Sequence, residues 1–355
     1  MTPQPLARTR RTSRLLAGLV AVLLLGVLSG CGLRLETAPP TEPVPDATEL
    51  LRRTAVTDAL GVATLADAAR QTKGEASAVT TELERVSKDS HAQAEALGGP
   101  YVSGLPSDPS VLPKPVHATP AEVVRALVDA AGRSRTAAST TTDGDLARLV
   151  ASIGASQTVS ATRLATAAGL EAPKAVPVAV PPPGATTASP APEPTGSPTP
   201  GAVATTAPGD EPTVPPAGLT ASDYQALVVA EDGARYGLEV WAARSSGAER
   251  ERLLARSVVH GTRAQAWAEL ARIADTDQDP RRIAYVLPPG KDAKALVQAI
   301  EEGLATDYAS LVGTTEAGTR GVLVDLLVDA ALTRNAWGGV PLTFPGLPER
   351  AKAAG

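Results

Sequence analysis

Chemistry has few places to sit in this chain. It holds three histidines, His91, His117 and His260, and one cysteine, Cys31. A single Cys excludes a disulfide framework and any multi-Cys zinc or iron–sulfur centre. No Ser–His–Asp or Cys–His arrangement stands out, and no glycine-rich phosphate loop follows a strand pattern. Carboxylate–imidazole chemistry remains. A dinuclear metal site inside a four-helix bundle takes one Glu from each of two helices and a Glu-x-x-His pair from each of the other two. The i, i+3 spacing sets both members of a pair on one helix face. Glu231, His260, Glu301 and Glu302 are the candidates for such a site. The set is short of ligands. Ser257, not Glu, stands three residues before His260, and the last helical segment holds no His, only Asp325 and Asp329 toward the edge of its apolar stripe. In the first half Asp58 and His91 are the only comparable pair, among Ala55, Lys88 and Glu95, and His117 reads as a solvated loop residue. No complete metal site, no cofactor and no catalytic residue is therefore expected. The alternative is iron or manganese at a reduced site of Glu231, His260 and Glu301 or Glu302, in a metal-dependent oxidoreductase or metal-handling protein.

Glu231, His260, Asp307 and Arg334 fall on or beside apolar stripes, and buried charge is costly unless paired. An internal Glu–His–Arg network in the place of a metal site is the favoured reading. A small-ligand pocket, and exposure through a shifted helix phase, are the competing ones. Trp241, Trp267 and Trp337 sit at stripe positions and are expected in the core.

The elements that must position these side chains are helices. Thr220 is a plausible N-cap before Tyr224, Leu227, Val228, Ala234, Leu238 and Trp241, which recur at three- and four-residue steps. Leu253, Ser257, His260, Ala264, Trp267 and Ala271 mark a second helix. A proline-bearing crossover spans 277–290; Leu296, Ile300, Leu304, Asp307 and Leu311 mark a third helix, and Leu323, Leu326, Leu327, Ala330, Arg334 and Trp337 a fourth. Short, long and short connections describe a four-helix bundle with one long crossover, as in ferritin-like folds. Residues 47–170 repeat the plan: helices near 47–72 and 75–97, a Pro- and Gly-rich crossover over 98–118, then helices near 119–138 and 143–168. His91 would then sit like His260, as in a degenerate repeat; two unrelated helical bundles are the other reading. Residues 171–218 hold 14 Pro in 48 residues and almost no large apolar side chain. Such a segment buries too little surface to order itself and reads as a disordered linker, with a Pro-module ligand or glycosylated stalk as alternatives.

The amino terminus reads as an address. Arg8, Arg10, Arg11 and Arg14 precede an uninterrupted apolar run over 15–28. That run is shorter than the ~20 residues a bilayer-spanning helix needs and suits a signal peptide. It ends in Leu28-Ser29-Gly30-Cys31, which resembles the lipobox of bacterial lipoproteins. The resemblance implies cleavage after residue 30, lipidation (palmitate among the chains) on Cys31, and a tether over 31–46. A transmembrane anchor with an incidental Cys is the competing reading. Export by the general secretory route fits better than the twin-arginine route, because Ser13 and Arg14 stand where the latter prefers apolar residues.

Composition agrees. Of 355 residues, 43% are hydrophobic but only 3% aromatic, so the core must be Ala, Leu and Val. Net charge is −5, and the first thirty residues carry four Arg and no acid, which leaves 29 basic against 38 acidic side chains. Phosphate-driven nucleic-acid binding is not expected, and an acidic protein gains nothing from anionic head groups. Membrane attachment would rest on the lipid alone, which calls for more than one acyl chain.

Val229-Ala230-Glu231 with Tyr236, then His260, Tyr285-Val286-Leu287-Pro288, Glu301-Glu302 and Phe344-Pro345-Gly346-Leu347, in that order, resemble the ferritin-like domain of unknown function of actinobacterial-type envelope proteins. The resemblance spans about 219–349. It implies a four-helix fold and an envelope location, and no established activity. The expectation is therefore an all-α chain: signal peptide 1–30, tether 31–46, helical bundle 47–170, linker 171–218 and ferritin-like bundle 219–349. It would sit on the outer face of the cell membrane, held by lipid on Cys31, as a non-catalytic binding or structural module for an unidentified envelope protein.

Overall fold

The computed structural model describes residues 42, 44–72, 74, 76–103, 117–174, 178–183, 214–288 and 291–351. The signal peptide, Cys31 and the tether up to residue 41 lie outside the described residues, as does 184–213 of the linker. The described residues are all-α: α1 Ala47–Arg70, α2 Ser77–Ala96, α3 Pro120–Thr140, α4 Gly144–Ala167, α5 Ala221–Ala242, α6 Gly247–Leu270, α7 Ala293–Thr314, α8 Gly321–Ala336 and the short α9 Pro348–Ala351. All of them fall within one compact unit, Pro45–Val102 with Ser110–Gly355.

Local chemistry starts most of these helices. The Asp46 and Asp143 side chains accept from the backbone N–H groups of Glu49 and Leu146. Thr119 with Glu122, and Thr220 with Asp223, form reciprocal capping boxes at α3 and α5. Each set of four helices is a bundle with a long crossover. Arg52 near the start of α1 donates to the Leu97 carbonyl beyond the end of α2, so the two are antiparallel. Val62 and Ala66 late in α1 share a core with Val123 and Leu127 early in α3. α2 therefore ends at one end of the bundle and α3 begins at the other. The second set repeats this: Tyr308 of α7 meets Glu231 of α5, while Gly237 lies against Leu296 and Ile300.

One apolar core runs through both bundles, beside a second cluster confined to the first. A single apolar cluster joins Val56, Val150, Ile153 and Val159 to Leu296, Leu323 and Trp337. The seam is α4, packed against α7 and α8 as well as α3. Fifteen of its 24 residues are buried, mostly Ala, Ser, Gly and Val. Small side chains let backbones approach: a Cβ on Gly144 would lie 2.1 Å from the Gly313 carbonyl oxygen at the end of α7. Polar contacts close the rim. Arg135 forms a two-pronged pair with Asp325, Arg320 donates to the Thr141 carbonyl, and Arg163 bridges Glu82 and Asn335. The carboxyl-terminal Phe344–Leu347 motif docks here too. Ser152 donates to the Pro345 carbonyl, and Thr343 donates to Asp89. A side chain at Gly346, φ +77°, would strike the Ala305 carbonyl oxygen at 2.5 Å.

The linker's ends are held by the protein. Val180 and Pro181 are buried on the second bundle, and Pro216 is buried next to Tyr224, whose hydroxyl donates to its carbonyl. Composition alone pointed to a free segment from 171. Among its described residues, Val178 and Val180 pack against the apolar core instead.

Candidate functional site

Glu231, His260 and Glu301 meet inside the second bundle, all wholly excluded from solvent. Glu231 comes from the middle of α5, His260 from α6 and Glu301 from α7. The His260 Nδ1–H donates to Glu231 Oε2 at 2.6 Å, and its Nε2–H donates to Glu301 Oε1 at 3.3 Å. The second oxygen of Glu231 accepts from the Tyr308 hydroxyl. Glu301 receives both prongs of Arg256, Nε at 2.7 Å and Nη2 at 2.8 Å. Arg256 Nη1 then reaches Asp329 of α8 at 2.8 Å, and Arg263 donates to the same Asp329 oxygen and to the Val178 carbonyl of the linker. The chain of contacts therefore runs Tyr308–Glu231–His260–Glu301–Arg256–Asp329–Arg263 and ties four helices and the linker.

The electrostatics are those of a closed network. Burial opposes the charged imidazole, but Glu231 and Glu301 outweigh it and raise the His260 pKa above its ordinary value. Burial likewise opposes the Glu301 carboxylate, yet Arg256 and His260 hold it below the usual range; Arg256 and Arg263 do the same for Asp329. Burial and the neighbouring Glu231 push the Tyr308 phenol well above its normal value. With His260 protonated, three cations face three carboxylates. Arg263 Nε and Nη1 and Trp267 Nε1 are buried without a partner at the edge of this cluster.

An adjacent pair fixes the crossover. The Tyr285 hydroxyl donates to the buried Asp232 at 2.7 Å and accepts from the Arg282 N–H. Burial and that Asp232 bond push its pKa up to about 12. Arg235 holds the other Asp232 oxygen at 2.8 Å.

Several residues lie elsewhere than the sequence reading put them. Glu302 is on the exposed side of α7, paired with Arg334, which also donates to the Val340 carbonyl. Arg334 is thus not the network's cation; Arg256 and Arg263 are. Asp307 is exposed and takes no part in the network, although it lies beside the buried stripe of Ile300 and Leu304, where partial burial raises its carboxyl pKa. His91 is exposed near Asp67, and Asp58 pairs with Arg133 on the surface of the first bundle. The parallel between His91 and His260 therefore fails, because α2 turns His91 outward. His117 is exposed, Trp267 and Trp337 are buried and Trp241 is half-buried. Arg256 was missed, although it stands one turn before His260, with Arg263 almost one turn after. That spacing on one helix face was the available signal.

The residues do not fit the dinuclear metal site of a ferritin-like bundle. A metal ligated by imidazole must sit about 2.0–2.1 Å from a ring nitrogen, and both His260 nitrogens already face carboxylates. Ser257 donates to the Leu254 carbonyl, as a helical Ser does, and supplies no bridging oxygen. Among the described residues no group of three or more His, Cys, Asp or Glu side chains is placed to hold a metal ion. The open groove between α5 and α6 is walled by Arg235, Glu239, Val258, Gly261, Gln265 and Glu269 among others, and not by Glu231, His260 or Glu301.

Residues 224–349, which contain this whole network except Val178, match the family described as Domain of unknown function (DUF4439). No curated protein and no solved structure matches the chain significantly.

Proposed function

We propose that the chain is an exported lipoprotein, anchored through Cys31 to the outer face of the cell membrane, whose helical body is a non-catalytic binding or structural module of the envelope. The mutual pairing of Glu231, His260 and Glu301 supports the non-catalytic reading. Both nitrogens of His260 and both oxygens of Glu231 and of Glu301 are engaged by other side chains. A general base needs a route for substrate as well as a lone pair, and Glu231, His260 and Glu301 are wholly buried and do not line the groove between α5 and α6. The role of the cluster is to fix helix register at the centre of the bundle. The anchor rests on the sequence: Leu28-Ser29-Gly30-Cys31 closes an apolar run too short to span a bilayer, and Cys31 is the sole Cys. Among the described residues no helix is long and apolar enough to cross a membrane.

Labelled palmitate tests the anchor. The wild-type chain is expected to take up label and shorten, while Cys31→Ala remains an unlabelled precursor; equal labelling of both overturns the lipoprotein reading. Elemental analysis of the full chain purified in detergent tests the rest. Stoichiometric iron or manganese would replace the structural role with the oxidoreductase or metal-handling one.

A further inference from the structure

Both ends of the linker come down on one stretch of α6. Arg263 Nη2 donates to the Val178 carbonyl. One turn on, the Trp267 ring lies 6.3 Å from that of Tyr224, whose hydroxyl donates to the Pro216 carbonyl. Val178-Ala179-Val180-Pro181 is non-helical, with Val180 and Pro181 buried and Ala179 exposed. Its match to α6 is incomplete. Arg263 and Trp267 are buried, yet Arg263 Nε and Nη1 and Trp267 Nε1 have no acceptor among the described residues. Leaving a buried N–H unmatched costs free energy. Within a planar guanidinium Nε–H and Nη1 point in different directions, so one acceptor cannot serve both. Several acceptors spaced along a main chain can. Arg263 already faces Asp329, so the acceptors that suit it are neutral carbonyls and not further carboxylates.

We propose, building on the binding-module reading above, that the Arg263–Trp267 stretch of α6 is a docking seat for an uncharged, non-helical segment of another protein, rich in Val and Pro, and that Val178–Pro181 is its displaceable resident. The resident shows what the seat accepts: a Val side chain and a Pro ring turned inward, and a main-chain carbonyl for Arg263. Peptide recognition by pockets for side chains and hydrogen bonds to the main chain works in this way. A second copy of this chain would bring the same segment and leave the same three donors unmatched, which favours a foreign sequence. Of residues 178–183 only Val180 and Pro181 are buried, so displacing them uncovers little apolar surface. The resident holds the seat because it is tied to the same chain, at high effective concentration.

The probe is a fluorescent peptide with the sequence of residues 171–183, added to the full chain in detergent. Val178→Asp with Val180→Asp puts two charges where burial is costly and should release the resident. This double variant is expected to bind the peptide about tenfold or more tightly than wild type, in which the tethered segment competes. A peptide carrying the same two Asp residues is expected to bind neither chain. Should the double variant lose its helical circular dichroism, Val180→Ala, which only shortens one side chain, is expected to bind more tightly than wild type. A folded variant that binds the peptide no better than wild type overturns the proposal. Concentration-dependent wild-type dimers that the peptide dissolves would make the partner a second copy and overturn the foreign one. Palmitate uptake and metal content are measured separately, so failure here is told apart from failure of the reading beneath it.

Discussion

Glu231 divides its two oxygens between Tyr308 and His260, so truncating it strands two buried groups at once. Glu231→Ala is expected to cost roughly 3–5 kcal/mol, the penalty of leaving a buried charge uncompensated. Arg334→Ala, which removes a partner of the exposed Glu302, is expected to cost no more than about 1 kcal/mol. Urea denaturation separates the two, and equal losses would mean that Glu231 is not part of a closed network. The pKa directions set a pH window. His260 is raised in the folded state, so its contribution is complete below its unfolded value of about 6.5 and is lost as pH rises through the folded one. Glu301 and Asp329 are lowered, so theirs is complete above their unfolded values of about 4 and is lost as pH falls through the folded ones. Stability should therefore peak between about pH 4.3 and about pH 6.5 and decline on both sides. In His260→Gln the alkaline decline should flatten while the acid limb remains; a Tm profile with the same alkaline slope in both proteins would refute this. At this scale the inward stripe positions of Glu231 and His260 were legible in the sequence. The spacing of Arg256 and Arg263 about His260 was legible too, but which Arg joins the network was not, because Arg256 and Arg334 have long side chains whose ends lie far from their helix positions.

At the scale of elements, α4 carries the most consequence. Fifteen of its 24 residues are buried, and its run of Ala, Ser and Gly lets it lie close to α3, α7 and α8. Gly144 is the tightest point. Its substitution by Ala drives a Cβ into the Gly313 carbonyl oxygen, backbone that cannot swing aside, and is expected to cost about 1–3 kcal/mol as an overpacked contact does. Gly61, in the exposed side of α1, has nothing within 4 Å of a built Cβ. Gly61→Ala is expected to stabilise by about 0.5–1 kcal/mol through helix propensity alone. Thermal melts of the pair check the contrast, and a neutral Gly144→Ala would mean that α4 and α7 do not approach this closely. Helix existence, caps and crossovers were readable because caps and 3.6-residue periodicity are local. Which face α2 turns outward was not, and His91 followed the wrong face.

The described helices behave as one unit in their contacts. The core, Arg135–Asp325, Arg163–Asn335 and the docked Phe344–Leu347 motif all join residues from both halves. Calorimetry should therefore record a single cooperative transition with matching calorimetric and van't Hoff enthalpies. A protease site inserted within 184–213 should be cut without separating the halves, which are expected to co-elute on size exclusion after cleavage. Two independent peaks, or two melting transitions, would show that the shared core does not hold them.

By itself the sequence determined the helices, the Thr220 cap, the all-α class and the burial of Glu231 and His260, because each of these follows from spacing along one segment. It also held every residue of the Arg256 network without revealing the partners, since those lie 29 to 77 residues apart and meet only when α5, α6, α7 and α8 close on one another. Only the tertiary structure decided that the two bundles are one body and that the linker's ends are bound to it. Contacts among small side chains leave no strong hydrophobic pattern to read; their energy comes from close approach, and close approach exists only after the helices have packed.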